Sequence, residues 1–197
     1  ISTDTLKAAI RSFLPYKAPG PDGIQPIILQ ESLALISDHL LELFKACLLT
    51  GHTPQKWLQM KGIYLPKPGK TDPQLVSYWR PISLTSFFLK TMEKLIDRHL
   101  RGTQLIDTLK ANNQFAYIKG RSTEAAIHRL VADVERALHH KEMALAAFID
   151  IEGAFNNVYL SSMITGLERH EIHPTIIRWI TYMLCNRTVC SELRGVQ

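Results

Sequence analysis

An α+β fold, mixed α/β with helices in the majority, is predicted by three observations. Several segments carry apolar residues at helical spacing with capping residues at their ends. One short run, Met143 to Ile151, is nearly all apolar, which suits a strand covered on both faces. The 197 residues, 46% hydrophobic and 21% charged, suffice for one well-buried core. No stretch interrupts them that looks like a flexible linker, a repeat or a low-complexity tract, so one folding unit, whole or in part, is expected.

The elements follow in order. Leu6, Ala9, Ile10 and Phe13 recur at helical spacing over Thr5 to Phe13, with Thr3 or Asp4 as the cap. Lys17 to Gly23 (KAPGPDG) must be a fixed turn, since two prolines lock φ and two glycines allow shapes other residues resist. Ser32 to Thr50 reads as a long amphipathic helix with Leu33, Ile36, Leu40, Leu43 and Phe44 inward and Gly51 closing it. Met60 to Leu65 is a strand candidate ending at Pro66, and Lys67 to Tyr78 is a polar loop. Ser86 to Leu100 is helical, with Leu89, Met92, Leu95, Ile96 and His99 or Leu100 inward. Ser122 or Thr123 caps a helix running to about His140, with Ile127, Leu130, Val131, Val134 and Leu138 on one face. After the strand at Met143 to Ile151, helices are expected at about Leu160–Glu171 and Thr175–Asn186. Pro174 can start the second, because its missing N–H would be unpaired there anyway. Arg187 to Gln197 begins a further strand.

The charge is +5, from 23 Lys and Arg against 18 Asp and Glu. This favours a polyanionic partner without requiring one. No apolar stretch is long enough to span a membrane, so no membrane association is expected. The three cysteines, Cys47, Cys185 and Cys190, lie at no metal-ligand spacing and fit a reducing intracellular compartment, with buried thiols favoured over a Cys185–Cys190 bridge. The chain starts at Ile1 without a leader, and is expected to be processed or cut from something longer.

Three places could carry chemistry. Asp150 ends an apolar strand, and a buried carboxylate is costly unless something pairs with it. Asp150 and Glu152 would share a face, as a hard divalent ion such as Mg²⁺ needs; a cap or a lysine partner is the plainer account. Lys56 to Arg80 holds Lys56, Lys61, Lys67, Lys70 and Arg80 against the single acid Asp72, interleaved with Trp57, Tyr64, Tyr78 and Trp79. Basic side chains neutralise phosphates and aromatic faces stack on bases, though the tryptophans are equally at home in a core. Gln114 to Thr123 places Lys119, Gly120 and Arg121 just before a helix start, as an anion contact or as incidental charge.

The order of KAPGPDG (Lys17–Gly23), YLPKPGK (Tyr64–Lys70), YWRPISL (Tyr78–Leu84), QFAYIKGRST (Gln114–Thr123) and FIDIEGAFNNV (Phe148–Val158) resembles the reverse transcriptase domain of non-LTR (LINE-type) retrotransposons, over about Ala9 to Gly195. The resemblance implies part of a right-hand polymerase: a helix-rich extension and fingers over about residues 1–140, and the first palm strand over about 141–197. It implies RNA-directed DNA polymerisation dependent on two Mg²⁺ ions, with an RNA template, a DNA primer and dNTP as partners. Asp150 matches the first catalytic aspartate and metal ligand, and the Ile151 carbonyl would touch a metal. Gly153 and Ala154 would line the triphosphate. Phe155 would exclude a ribose 2′-OH. Arg80 matches the fingers arginine on the triphosphate, with Lys67 or Lys70 as its companion. Gln114, Lys119 and Arg121 fall on the template side, where Ala116-Tyr117 stands for the family's usual Gly-Phe, and Asn156 stands for a common Asp. The second palm motif, Phe/Tyr-x-Asp-Asp, is absent, so this chain alone is expected not to polymerise. The remaining palm, the thumb and an endonuclease domain would lie elsewhere in a longer polyprotein, within an intracellular ribonucleoprotein of cytoplasm and nucleus. A non-catalytic nucleic-acid-binding remnant is the alternative. A metal-dependent phosphohydrolase is weaker, lacking a third ligand and a general base.

Overall fold

The computed structural model describes residues 1–69, 72, 74–75, 78–103, 113–151, 153–154 and 157–191. Two compact units emerge: residues 1–99 with 164–197, and residues 100–163. The fold is α+β, as the sequence predicts.

In the first unit, α1 (Thr3–Arg11) starts two residues earlier than the Thr5 its apolar spacing suggests. Its cap is Ser2 rather than Thr3 or Asp4, because Ser2 and Thr5 exchange bonds in a reciprocal capping box. Short α2 (Pro26–Glu31) and long α3 (Leu33–Thr50) follow. The inward face of α3 is Leu33, Ser37, Leu40, Leu41, Phe44 and Cys47. Leu43, expected inward, is exposed instead, because its neighbour Leu41 takes the facing position. Gly51 ends α3 in the left-handed region (φ 70°), with the His52 N–H reaching the Cys47 carbonyl at 3.1 Å. Arg178 reaches across from α8 (Pro174–Cys185) to donate to the Leu49 carbonyl at 2.5 Å, adding a cation to the helix end where carbonyls are unpaired.

One turn, α4 (Gln55–Leu58), leads into β1 (Gln59–Pro66), which pairs antiparallel with β2 (Trp79–Thr85) and parallel with β3 (Thr188–Ser191). The sheet order β2-β1-β3 leaves β2 at an edge, the only kind of strand that tolerates Pro81. Gly62 admits β3: a Cβ there would stand 3.0 Å from the Ser191 Cβ and 3.2 Å from Val189 Cγ1. Helix α5 (Phe87–Arg101) buries Phe87, Leu89, Met92, Leu95 and Ile96. His99, one of two candidates for its inner face, is exposed. The core joins these to Leu6, Ile10, Phe44, Leu58 and Trp179.

The second unit holds α6 (Thr123–His139), capped by the Ser122 hydroxyl accepting from the Ala125 N–H at 3.1 Å. The α7 helix (Leu160–Arg169) spans the division between the units. Two expectations fail here. The face Ile127, Leu130, Val131 and Leu138 of α6 is exposed rather than packed. Met143 to Ile151 forms no strand, and Met143 and Leu145 are fully exposed. A strand exists only through its ladder, and among the described residues none pairs with this run. The cysteines also differ: Cys47 is buried, but Cys185 and Cys190 are exposed, one on the last turn of α8 and one on an edge strand. No described helix is long and apolar enough to cross a membrane.

Candidate functional site

The β1–β2 hairpin organises the basic segment. Its register sets Leu65 opposite Arg80, Ile63 opposite Ile82 and Lys61 opposite Leu84, so these six share one face. The Lys67 N–H donates to the Tyr78 carbonyl at 2.8 Å, which carries the register one step further. Lys67 therefore stands on the Arg80 face, a diagonal step away and within reach of long side chains. A guanidinium fork and an ammonium on one open face can address the oxygens of one polyphosphate. Arg80 is exposed and Lys67 half-buried; Lys70 lies outside the described residues.

The aromatic residues of this segment divide. Trp57 is core: it stacks on Phe88 (5.2 Å, 10°) and meets Phe44 edge-on at 5.7 Å. Tyr78 packs edge-on against Trp79 at 5.1 Å, beside the hairpin.

The turn-rich loop Lys17–Gly23 packs against the end of β2. Gly20 is buried with its backbone against the junction of β2 and α5, where a Cβ would fall 2.6 Å from both Ser86 N and Thr85 C. The loop's Asp22 acts electrostatically on Lys90 of α5, whose ammonium also sits 4.3 Å over the Phe87 ring. Burial holds Lys90 below the usual lysine range, with Glu93 and Asp22 opposing that shift.

In the second unit, the segment Gln114–Thr123 is braced by its own side chains. Arg121 Nη1 donates to the Gln114 carbonyl at 2.5 Å and its guanidinium lies 5.6 Å from the Phe115 ring centre. Gln114 Nε2 donates to the Ala116 carbonyl at 3.0 Å. Arg101 Nη1 donates to the Tyr117 carbonyl at 3.0 Å. Thus Gln114 and Arg121, both singled out from sequence, hold the loop, while Lys119 is exposed. Tyr117, noted in the sequence only as standing for the family's usual Phe, is 74% exposed.

Asp150 and Ile151 are exposed, in a run over 142–151 that is neither helix nor strand. Gly153 adopts φ 64°, and its carbonyl accepts from the Asn157 N–H at 3.0 Å. Glu152, Phe155 and Asn156 lie outside the described residues. Asp150 is a hard oxygen donor of the kind Mg²⁺ takes. Among the described residues no group of three His, Cys, Asp or Glu comes together, so these side chains supply one ligand and do not make a metal centre.

Residues 65–196 match the model of the family described as reverse transcriptase (RNA-dependent DNA polymerase). The chain belongs to this family. The match contains Lys67, Arg80, the Gln114–Thr123 loop and Asp150, while the Lys17–Gly23 loop and β1 up to Tyr64 precede it. The chain is 30% identical over 169 residues to the probable RNA-directed DNA polymerase from transposon BS of Drosophila melanogaster, covering 86% of this chain and 18% of that protein. It is 29% identical over 185 residues to a Pol polyprotein from the type-1 retrotransposable element R1 of Bradysia coprophila, covering 92% and 18%. With the corresponding R2 polyprotein of Popillia japonica the identity is 25% over 190 residues, covering 95% and 25%. This reverse transcriptase chain thus spans a quarter or less of these relatives.

Proposed function

We propose that the chain is the fingers and the start of the palm of an RNA-directed DNA polymerase encoded by a non-LTR retrotransposon. The observation that carries this is the co-location of Lys67 and Arg80 on one hairpin face inside a reverse transcriptase match that also holds Asp150. In this reading residues 1–140 form the N-terminal extension and fingers, and residues 141–197 begin the palm. Arg80 and Lys67, with Lys70 as an alternative companion, grip the triphosphate of an incoming dNTP. Gly153 and Ala154 let its phosphates approach the backbone, and Phe155 blocks a 2′-OH by its bulk. Asp150 and the Ile151 carbonyl hold Mg²⁺ in part. The ions, when bound, stabilise negative charge on the attacking and leaving oxygens. An RNA template and DNA primer are the polymer partners, the remaining palm and thumb come from other parts of the polyprotein, and the assembly works as an intracellular ribonucleoprotein.

One carboxylate cannot position two ions, so the 197-residue chain by itself is inert in this reading. On a primed RNA template it is expected to incorporate no dNTP. It is also expected to crosslink to a photoreactive dNTP in a way that Arg80→Ala weakens at least tenfold, the loss of one charge-assisted phosphate contact. Robust incorporation abolished by Asp150→Asn would overturn the claim of incompetence. Crosslinking indifferent to Arg80 would overturn the triphosphate assignment.

A further inference from the structure

Strand β3 is four residues long and none of its side chains is buried. Among the described residues its ladder is a parallel one, from Gln59–Thr188 to Gly62–Ser191. A short parallel ladder without buried side chains is a weak attachment. A second tie lies immediately ahead of it. Arg187 Nη2 donates to Glu93 Oε1 of α5, and the two form an ion pair largely shielded from water, with 24% and 34% of their side-chain surface exposed. The Arg187 Nε–H is buried and finds no acceptor among the described residues, so compensation of this guanidinium falls on Glu93. Removing either partner would leave the other charge where water reaches it poorly.

The topology gives this pair more than a local task. Glu93 belongs to α5, which follows β2 after the single residue Ser86. Arg187 leads into β3, which lies against β1. The two routes meet in the β1–β2 ladder, so strands, helix and ion pair form a closed circuit with β1 held from both sides. In sequence the second unit, residues 100–163, lies between the two partners, so the pair closes the first unit across that insertion. Arg80 stands on β2, and Lys67 directly follows β1. We propose that Arg187 is a positioning residue for the incoming nucleotide: by pairing with Glu93 it fixes β3 beside β1, and so sets the hairpin face from which Arg80 and Lys67 reach the triphosphate. That the ligand is a dNTP rests on the polymerase reading above. Arg187 leads into the strand farthest from β2 in the sheet order β2-β1-β3 and acts through the hairpin rather than on the substrate.

The test titrates a photoreactive dNTP onto the full 197-residue chain and reads the half-saturating concentration and the plateau of crosslinking. Each variant is measured well below its own thermal midpoint. Arg187→Ala and Glu93→Ala should each raise the half-saturating concentration about fivefold or more, the low end of coupling between two sites. The double substitution should raise it no further than the worse single one, because the two side chains act as a unit. Arg187→Lys keeps the charge without the planar fork and should recover part of the loss. Should Arg187→Ala not fold, Glu93→Gln, which keeps the side chain's shape, carries the same comparison. A merely structural pair would lower the thermal midpoint and the plateau and leave the half-saturating concentration unchanged. That result, or single effects that simply add in the double variant, overturns the positioning role and leaves the polymerase reading standing. An unsubstituted chain without saturable crosslinking overturns the triphosphate assignment and the positioning role with it.

Discussion

Substituting Gly20 with alanine tests how the KAPGPDG loop works. A Cβ at Gly20 would stand 2.6 Å from Ser86 N, 2.6 Å from Thr85 C and 3.0 Å from Thr85 O. Carbon contacts are comfortable at roughly 3.5–4.0 Å, so the overlap is close to 1 Å, and it is with backbone that has no rotamer to change. Overpacking of this kind costs about 1–3 kcal/mol. At about 2–4 °C per kcal/mol for a chain of this size, the midpoint should fall by roughly 2–12 °C. Gly23→Ala is the control: its φ is +70° but nothing lies within 4 Å, so its cost is about 1 kcal/mol of backbone strain. Differential scanning calorimetry on both variants decides. Gly20→Ala should be the more damaging, and hydrogen exchange should accelerate along Trp79–Thr85, the strand that carries Arg80. Equal or smaller damage from Gly20→Ala would refute the view that the loop is seated on that junction.

Three further outcomes follow from the same structure. Lys141 (φ 58°) and Glu171 (φ 54°) occupy left-handed positions after α6 and α7 where glycine is favoured, so Lys141→Gly or Glu171→Gly should each stabilise by about 1 kcal/mol in urea titration. Cys185 and Cys190 should be alkylated promptly in the folded chain. Burial pushes the Cys47 thiol up, so Cys47 should react only on unfolding, which mass mapping can follow. Burial holds Lys90 below the usual lysine range, so between its folded value and that range the unfolded chain binds more protons. Stability contributed through Lys90 therefore rises with pH across this alkaline window, and Lys90→Met should flatten the rise in denaturant titrations.

Apolar spacing made the helix at Leu6–Ala9–Ile10 legible although its cap, Ser2, lay outside the expected pair, and the cap at Ser122 was legible because a capping signal is local. The strand β2 was missed since Pro81 speaks against a strand, and its edge position is a property of the sheet rather than of the segment. Short α2 and α4 carry too few turns to show a period. Met143–Ile151 has strand composition, but pairing needs a partner that composition cannot supply. Within the site, Lys67 and Arg80 were each visible as cations, whereas their shared face depends on a register set by the hairpin. For Trp57 the sequence left base stacking and core packing equally open, and its contacts with Phe44 and Phe88 place it in the core. Arg121 falls on the template side by resemblance, and its bond to the Gln114 carbonyl also braces the loop. For the Lys67–Arg80 face and for Trp57, partners distant in sequence decided what a locally readable side chain does.

Whether this chain forms the nucleotide-gripping half of a reverse transcriptase active site is decided by a replacement experiment. Residues 65–196 would be exchanged for the matching segment of the transposon BS protein, and extension of a DNA primer on an RNA template measured. A folded chimera that extends the primer, and loses about 10³-fold or more of that rate with Asp150→Asn, is the result expected of a carboxylate that helps stabilise transition-state charge. A folded, template-binding chimera whose rate is the same with Asp150 and with Asn at that position would contradict the account.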